Sequence, residues 1–231
     1  MSVISSVVWP KLAKFVTKPR NDSLVSVILE GYLSCVSPDR YPKLNFVSSG
    51  AQGDYEFLQG LLLPVARPRL CNEFIQRTRN RRGLSVAVFS CCVPRELESL
   101  EGETVTFTNT ADRSMESILI DETVKIIDSH VADINIFCSQ KVIHHRIRSH
   151  LESHGILVLE RLSITYAEDV ASLAGTTLSP SISEWEIGKL GGLEMKRIGG
   201  KKHLHLQPAE GSHLGAVIGP QTVGAFLDDN N

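Results

Sequence analysis

The chain has 231 residues, 42% of them hydrophobic, and a formal net charge of −2. That length suffices for one large domain or two small ones. The near-neutral balance excludes a general electrostatic pull toward nucleic acid or anionic membrane.

The opening segment MSVISSVVWPKLAKFVTKPR does not read as a signal peptide, because its apolar run is short and broken by Pro10 and Lys11. No stretch approaches the roughly 20 apolar residues that a membrane helix needs. Residues 23–36 suit a helix, with Leu24, Val27, Ile28 and Leu33 near one face. Ser37-Pro38 ends it, since the residue before proline avoids the α region. Residues 38–60 are rich in Pro, Ser, Gly and Asp and read as irregular connection, with a domain boundary near 50–55. LLLPV (61–65) is an apolar strand, and Pro64 marks it as an edge or a bulge.

The tract QRTRNRRG (76–83) carries four arginines and reads as a solvated loop. LSVAVFSCC (84–92) is a strand buried on both faces. Residues 97–103 are acidic and loop-like, and VTFTNT (105–110) alternates like a half-exposed strand. A helix is expected at about 113–131, then a short strand at Ile134–Phe137. Residues 141–153 read as a basic amphipathic helix, with Ile143, Ile147 and Leu151 at i, i+4 and i+8. Gly155 stops it, and GILVLE (155–160) is a buried strand. Thr165 and Glu168 make a T-x-x-E capping box for a helix that Gly175 closes. Two β–α steps in succession demand parallel strands with right-handed crossovers. Farther on, RIGGKKH reads as a turn between strands, HLHLQ (203–207) as an alternating strand and LGAVIG (214–219) as an apolar strand.

Candidate chemistry is sparse. Five cysteines, at 35, 71, 91, 92 and 138, are odd in number and lack C-x-x-C spacing. Reduced thiols in an intracellular protein are the simplest reading. Adjacent Cys91 and Cys92 in a strand point to opposite faces, one as a small core residue. His150 and His154 are spaced i, i+4 at a helix end, but the spacing offers no third metal ligand. A helix C-terminus favours basic residues without any metal. His203 and His205 read as surface alternation on one side of a strand. No G-x-S-x-G, G-x-G-x-x-G or G-x-x-x-x-G-K-[ST] is present, so no metal, cofactor or catalytic residue is assigned.

The block from Ile134 to Thr177 resembles the apical domain of the group II chaperonins, the TCP-1 and thermosome family. FCSQKVIH (137–144), GILVLERL (155–162) and ASLAGTT (171–177) carry the likeness, and LGGLEMKRIGGKKHLHL (190–206) extends it. The resemblance implies an α/β fold, an apical-type β-sandwich flanked by helices. It implies a partial intermediate-domain segment and linker at 1–54, an apical-like domain at 55–207 and the start of a return segment at 208–231. The departures are specific: His144 stands where the family has aspartate, the protrusion shrinks to TADRSMESILID, and GDGTT is absent. They look most like the divergent chaperonin-like family of McKusick–Kaufman and Bardet–Biedl syndrome. On that likeness the chain is a partial form, without the equatorial ATPase domain and so not an enzyme.

The resemblance implies a protein-binding module acting in assembly of the ciliary BBSome. Its partners would be client proteins, sister chaperonin-like proteins and the cytosolic chaperonin, with no nucleic acid and no membrane insertion. Its place would be the cytoplasm, the centrosome and the basal body. Candidate contacts are Phe107, Met115, Ile118, Leu119, Val142 and Arg146. The alternatives are a fragment of an ordinary ATP-dependent group II chaperonin subunit that folds cytosolic proteins, and a small α/β enzyme. The latter requires convergent titratable groups that the spacing does not supply.

Overall fold

The computed structural model describes residues 18–36, 41–49, 55–81, 83–94 and 115–219. They form two compact units. One comes from both flanks of the chain, up to Asn72 and again from Gly191, and the other is Glu73–Leu190. The mixed α/β class expected from the sequence is the class observed. Among the described residues no helix is long and apolar enough to cross a membrane.

The flanking unit begins with α1 (Lys18–Cys35), which runs longer at its start than the expected helix. Strands β1 (Lys43–Ser48), β2 (Glu56–Gln59) and β9 (Leu214–Gly219) make a three-stranded sheet with β9 in the centre. β1 runs parallel to β9 and β2 antiparallel to it. The central position explains the unbroken apolar sequence of β9, every residue of which is buried. Leu24 of α1 packs with Tyr55 and Val217 over this sheet.

In the same unit β3 (Leu61–Pro64) pairs antiparallel with β8 (Lys201–Pro208). β3 ends its sheet, the position that Pro64 requires because it has no N–H for a further ladder. β8 follows β7 (Gly188–Ile198) through the two-residue turn Gly199-Gly200. Both glycines have positive φ, 56° and 77°, the geometry of a tight hairpin that L residues adopt poorly. One reading of this strand needs correction. His205 is buried rather than part of a surface alternation, and its Nε2 donates to the Gln59 carbonyl at 2.9 Å.

The unit Glu73–Leu190 is built on three parallel strands, β4 (Leu84–Phe89), β5 (Ile136–Ser139) and β6 (Leu157–Leu159), in that order. Gly188–Leu190 of β7 adds antiparallel to β4. β4 ends at Phe89, so Cys91 and Cys92 lie in the following bend rather than in the strand. Strand alternation divides the core. Ala87, Phe89, Phe137 and Val158 join one cluster with Ile120, Ile127, Ile147 and Leu151. These last four come from α3 (Met115–Asp128) and α4 (His145–Ser153), which therefore cover one face. α5 (Ile164–Ala174) packs on β4, with Ala167, Val170 and Ala171 buried. Its end comes so close to β7 that a Cβ on Gly188 would lie 2.5 Å from the Ala174 carbonyl oxygen.

Residues 38–60, read as irregular connection, hold β1 and β2, because β9 offers both its edges to them. Three more local expectations fail for identifiable reasons. α2 (Pro68–Thr78) takes in the first residues of the arginine tract, so 76–78 are helix and not loop. Pro68 opens α2, where its missing N–H costs nothing, while Cys71 and Phe74 are buried one turn apart. The cap of α5 is Ser163, whose hydroxyl accepts from the Tyr166 N–H, and not Thr165. Gly175 does close α5, in the left-handed conformation at φ 67°. Finally α4 starts at His145, four residues late. Ile143 is drawn into a bridge with Val93, and its N–H donates to the Glu160 carboxylate at 3.0 Å. The expected strand at 105–110 and the acidic segment at 97–103 lie outside the described residues.

Candidate functional site

Helices α3 and α4 lie side by side on the parallel sheet. Their contact is a ladder of acid-to-base pairs. Glu116 Oε1 is 3.3 Å from His144 Nε2, Asp121 Oδ1 is 3.5 Å from Arg146 Nη2, and Asp128 Oδ1 is 2.6 Å from His150 Nε2. Numbers rise together on both sides, so the two helices run in the same direction. Beneath the ladder, Ile147 and Leu151 of α4 and Ile127 of α3 are wholly buried. The i, i+4 spacing read from the sequence is the buried stripe of α4.

His144 stands just ahead of α4 and caps it. Its Nδ1 accepts from the Arg146 N–H at 3.3 Å. An Nδ1 that accepts leaves the ring proton on Nε2, where it can be donated to Glu116. The histidine thus does the work of an aspartate at a helix N-terminus, from an extended backbone at φ −56° and ψ 138°. Behind it, Glu160 makes two contacts. Oε2 accepts from Ile143 N–H, and Oε1 lies 2.7 Å from Arg148 Nη1, with the Glu160 side chain only 15% exposed. This pair fixes the loop that carries Val142 to the start of α4.

The expected contact residues fall in four groups. Val142 is 51% exposed and apolar, immediately before α4. Arg146 is about half exposed and reaches Asp121 of α3. Ile118 and Leu119 on α3 are half-buried. Met115 opens α3, but its side chain is outside the described set, and Phe107 lies outside the described residues altogether. The structure therefore joins Arg146 to α3 and leaves Val142 outward.

Sequence reading missed Glu160 and Asp128. Their partners lie 12 and 22 residues away along the chain, and no local spacing announces such pairs. It also missed Trp185. The Trp185 ring stacks on His130 at 4.6 Å and meets Phe89 edge-on at 5.0 Å, while its N–H donates to the Ile182 carbonyl at 2.6 Å. The missing third neighbour of His150 and His154 is Asp128. One potential ligand atom from each of the three lies within 4.8 Å of the others. The cysteines offer no activated thiolate among those with a defined shift. Burial pushes Cys138 up to about 12 and also raises Cys35 and Cys71.

No family model matches the chain. Two curated relatives are each called molecular chaperone MKKS. The one from Pongo abelii is 22% identical over 218 residues, and the one from Homo sapiens is 21% identical over 221. The matches cover 90% and 91% of this chain but 38% of each relative's length. The open-state monomer of a group II chaperonin from Methanococcoides burtonii superposes with a TM-score of 0.63 at 17% identity. That likeness spans 93% of this chain and 51% of the other. The chain has the fold of that part of a group II chaperonin monomer, and it resembles the MKKS molecular chaperones in sequence.

Proposed function

We propose that this chain is a chaperonin-like protein-binding module, with the α3–α4 face and the loop before α4 as its contact surface. One observation carries the reading: the chaperonin fold extends over 93% of the chain. The name molecular chaperone on both curated relatives points the same way. An exposed Val142 beside a half-exposed Arg146 supports the location. Such a rim captures apolar segments without a shaped pocket, since each Å² removed from water contributes about 25 cal/mol. Phe107 and Met115 belong to the same proposed surface, within the module at 55–207.

The role is holding rather than turnover. The GDGTT loop of the resembled family does not occur in the 231 residues, and an ATP hydrolysis assay on this chain is expected to match its blank. We further propose that the held proteins are BBSome components, at the centrosome and basal body, alongside sister chaperonin-like proteins and the cytosolic chaperonin. The substitutions around FCSQKVIH support that narrower role. Co-purification of the tagged chain from ciliated cells tests it. BBSome and chaperonin subunits should accompany the parent chain and fall away with Val142→Ser. Their absence from the parent chain, or equal recovery with the variant, argues against it.

A further inference from the structure

From the closing turns of α3 and α4 we infer a divalent metal site of zinc type, formed by Asp128, His150 and His154. Asp128 is the last residue of α3, and the two histidines sit one turn apart at the end of α4. Two imidazoles and a carboxylate are a donor set suited to Zn²⁺ and its neighbours, and poorly suited to Ca²⁺ or Mg²⁺.

The geometry goes further than a shared surface. The rings of His150 and His154 have centroids 4.6 Å apart, at 59° to one another. His154 Nδ1 lies 2.9 Å from the His150 carbonyl oxygen, which can only accept, so Nδ1 carries the proton. The lone pair of His154 is thereby assigned to Nε2. Backbone carbonyls set the tautomer of metal-binding histidines in this way. His150 Nε2 already faces Asp128 Oδ1 at 2.6 Å. A tetrahedral ion holds its donors about 2.0–2.2 Å away, which places them about 3.3 Å from one another. The present spread of up to 4.8 Å closes to that value through side-chain rotation. Asp128 and His154 are exposed, so no core packing resists it.

A helix C-terminus alone accounts for one histidine through its dipole. It does not account for a second ring and a carboxylate from another helix converging on it. The ion replaces the proton shared between His150 and Asp128 and ties the ends of α3 and α4 together. The fourth position stays open to water. The site lies at the end of α4 away from Val142, so it braces the proposed contact face without occupying it.

Titration of the 231-residue chain with Co²⁺ and then Zn²⁺ tests the inference. One Co²⁺ per chain should bind with visible ligand-field bands, and Zn²⁺ should displace it. Each of Asp128→Asn, His150→Ala and His154→Ala should weaken Zn²⁺ at least about tenfold, the loss that removing even an outer-shell partner of a ligand brings. His203→Ala should leave affinity unchanged. Circular dichroism and metal-free unfolding midpoints establish that the three variants are folded. The site is overturned if the parent chain takes up no stoichiometric metal, or if uptake survives all three substitutions, which assigns it to other histidines or cysteines. It is equally overturned if His203→Ala abolishes uptake.

Discussion

At its first turn α4 is anchored from below, by Glu160 holding Ile143 N–H and Arg148 and by the Val93–Ile143 bridge. At its last turn it is held from the side, by Asp128 meeting His150 and His154 in the open. The first arrangement is part-buried and therefore costly to break. The second is exposed, so its strength depends on what water, protons or ions supply. A binding rim needs the first kind of anchor beside Val142, because a loosely held loop loses entropy again on every capture. The second kind leaves the far end adjustable.

The contrast can be broken most severely through the stripe common to both ends. Leu151→Ala removes a wholly buried side chain and should lower unfolding free energy by about 2–5 kcal/mol. Denaturant melts should show that loss with an unchanged slope. Glu160→Ala comes next. It leaves the Ile143 N–H and Arg148 without their shared acceptor and should cost about 1–3 kcal/mol. Hydrogen exchange at Ile143 and Arg146 should quicken while that at His154 stays near its parent rate. His150→Ala in metal-free buffer should cost no more than about 1 kcal/mol, as exposed pairs do. Its protection loss should be confined to the last turn of α4. Equal effects of Glu160→Ala and His150→Ala would erase the distinction between the two ends.

Much of this architecture was legible. The apolar run of β9, the buried i, i+4 stripe of α4 and the glycine pair after β7 each follow from local chemistry. Most of what was hidden depends on residues distant in sequence, and the α5 cap is the local exception. The start of α4 moved because Val93 and Glu160 claim Ile143. The α5 cap moved because Ser163 offers its hydroxyl two residues ahead of an equally plausible threonine. His205 reads as surface until β3 and Gln59 are placed around it. Of the candidate contacts, Val142 shows the exposure a rim needs. Ile118 and Leu119 are half-buried, and hydrophobic periodicity alone does not separate a core stripe from a binding stripe.

The central claim is that the apolar position ahead of α4 takes hold of other proteins. The direct measurement is the affinity of the chain for a fluorescent, permanently unfolded polypeptide, followed by anisotropy, before and after Val142→Ser. Replacing a half-exposed valine should leave the unfolding midpoint nearly unchanged, within about 0.5 kcal/mol. The account predicts that affinity nonetheless falls roughly fivefold, the equivalent of about 1 kcal/mol of lost apolar burial. An affinity identical to that of the parent chain, with folding equally intact, would contradict it.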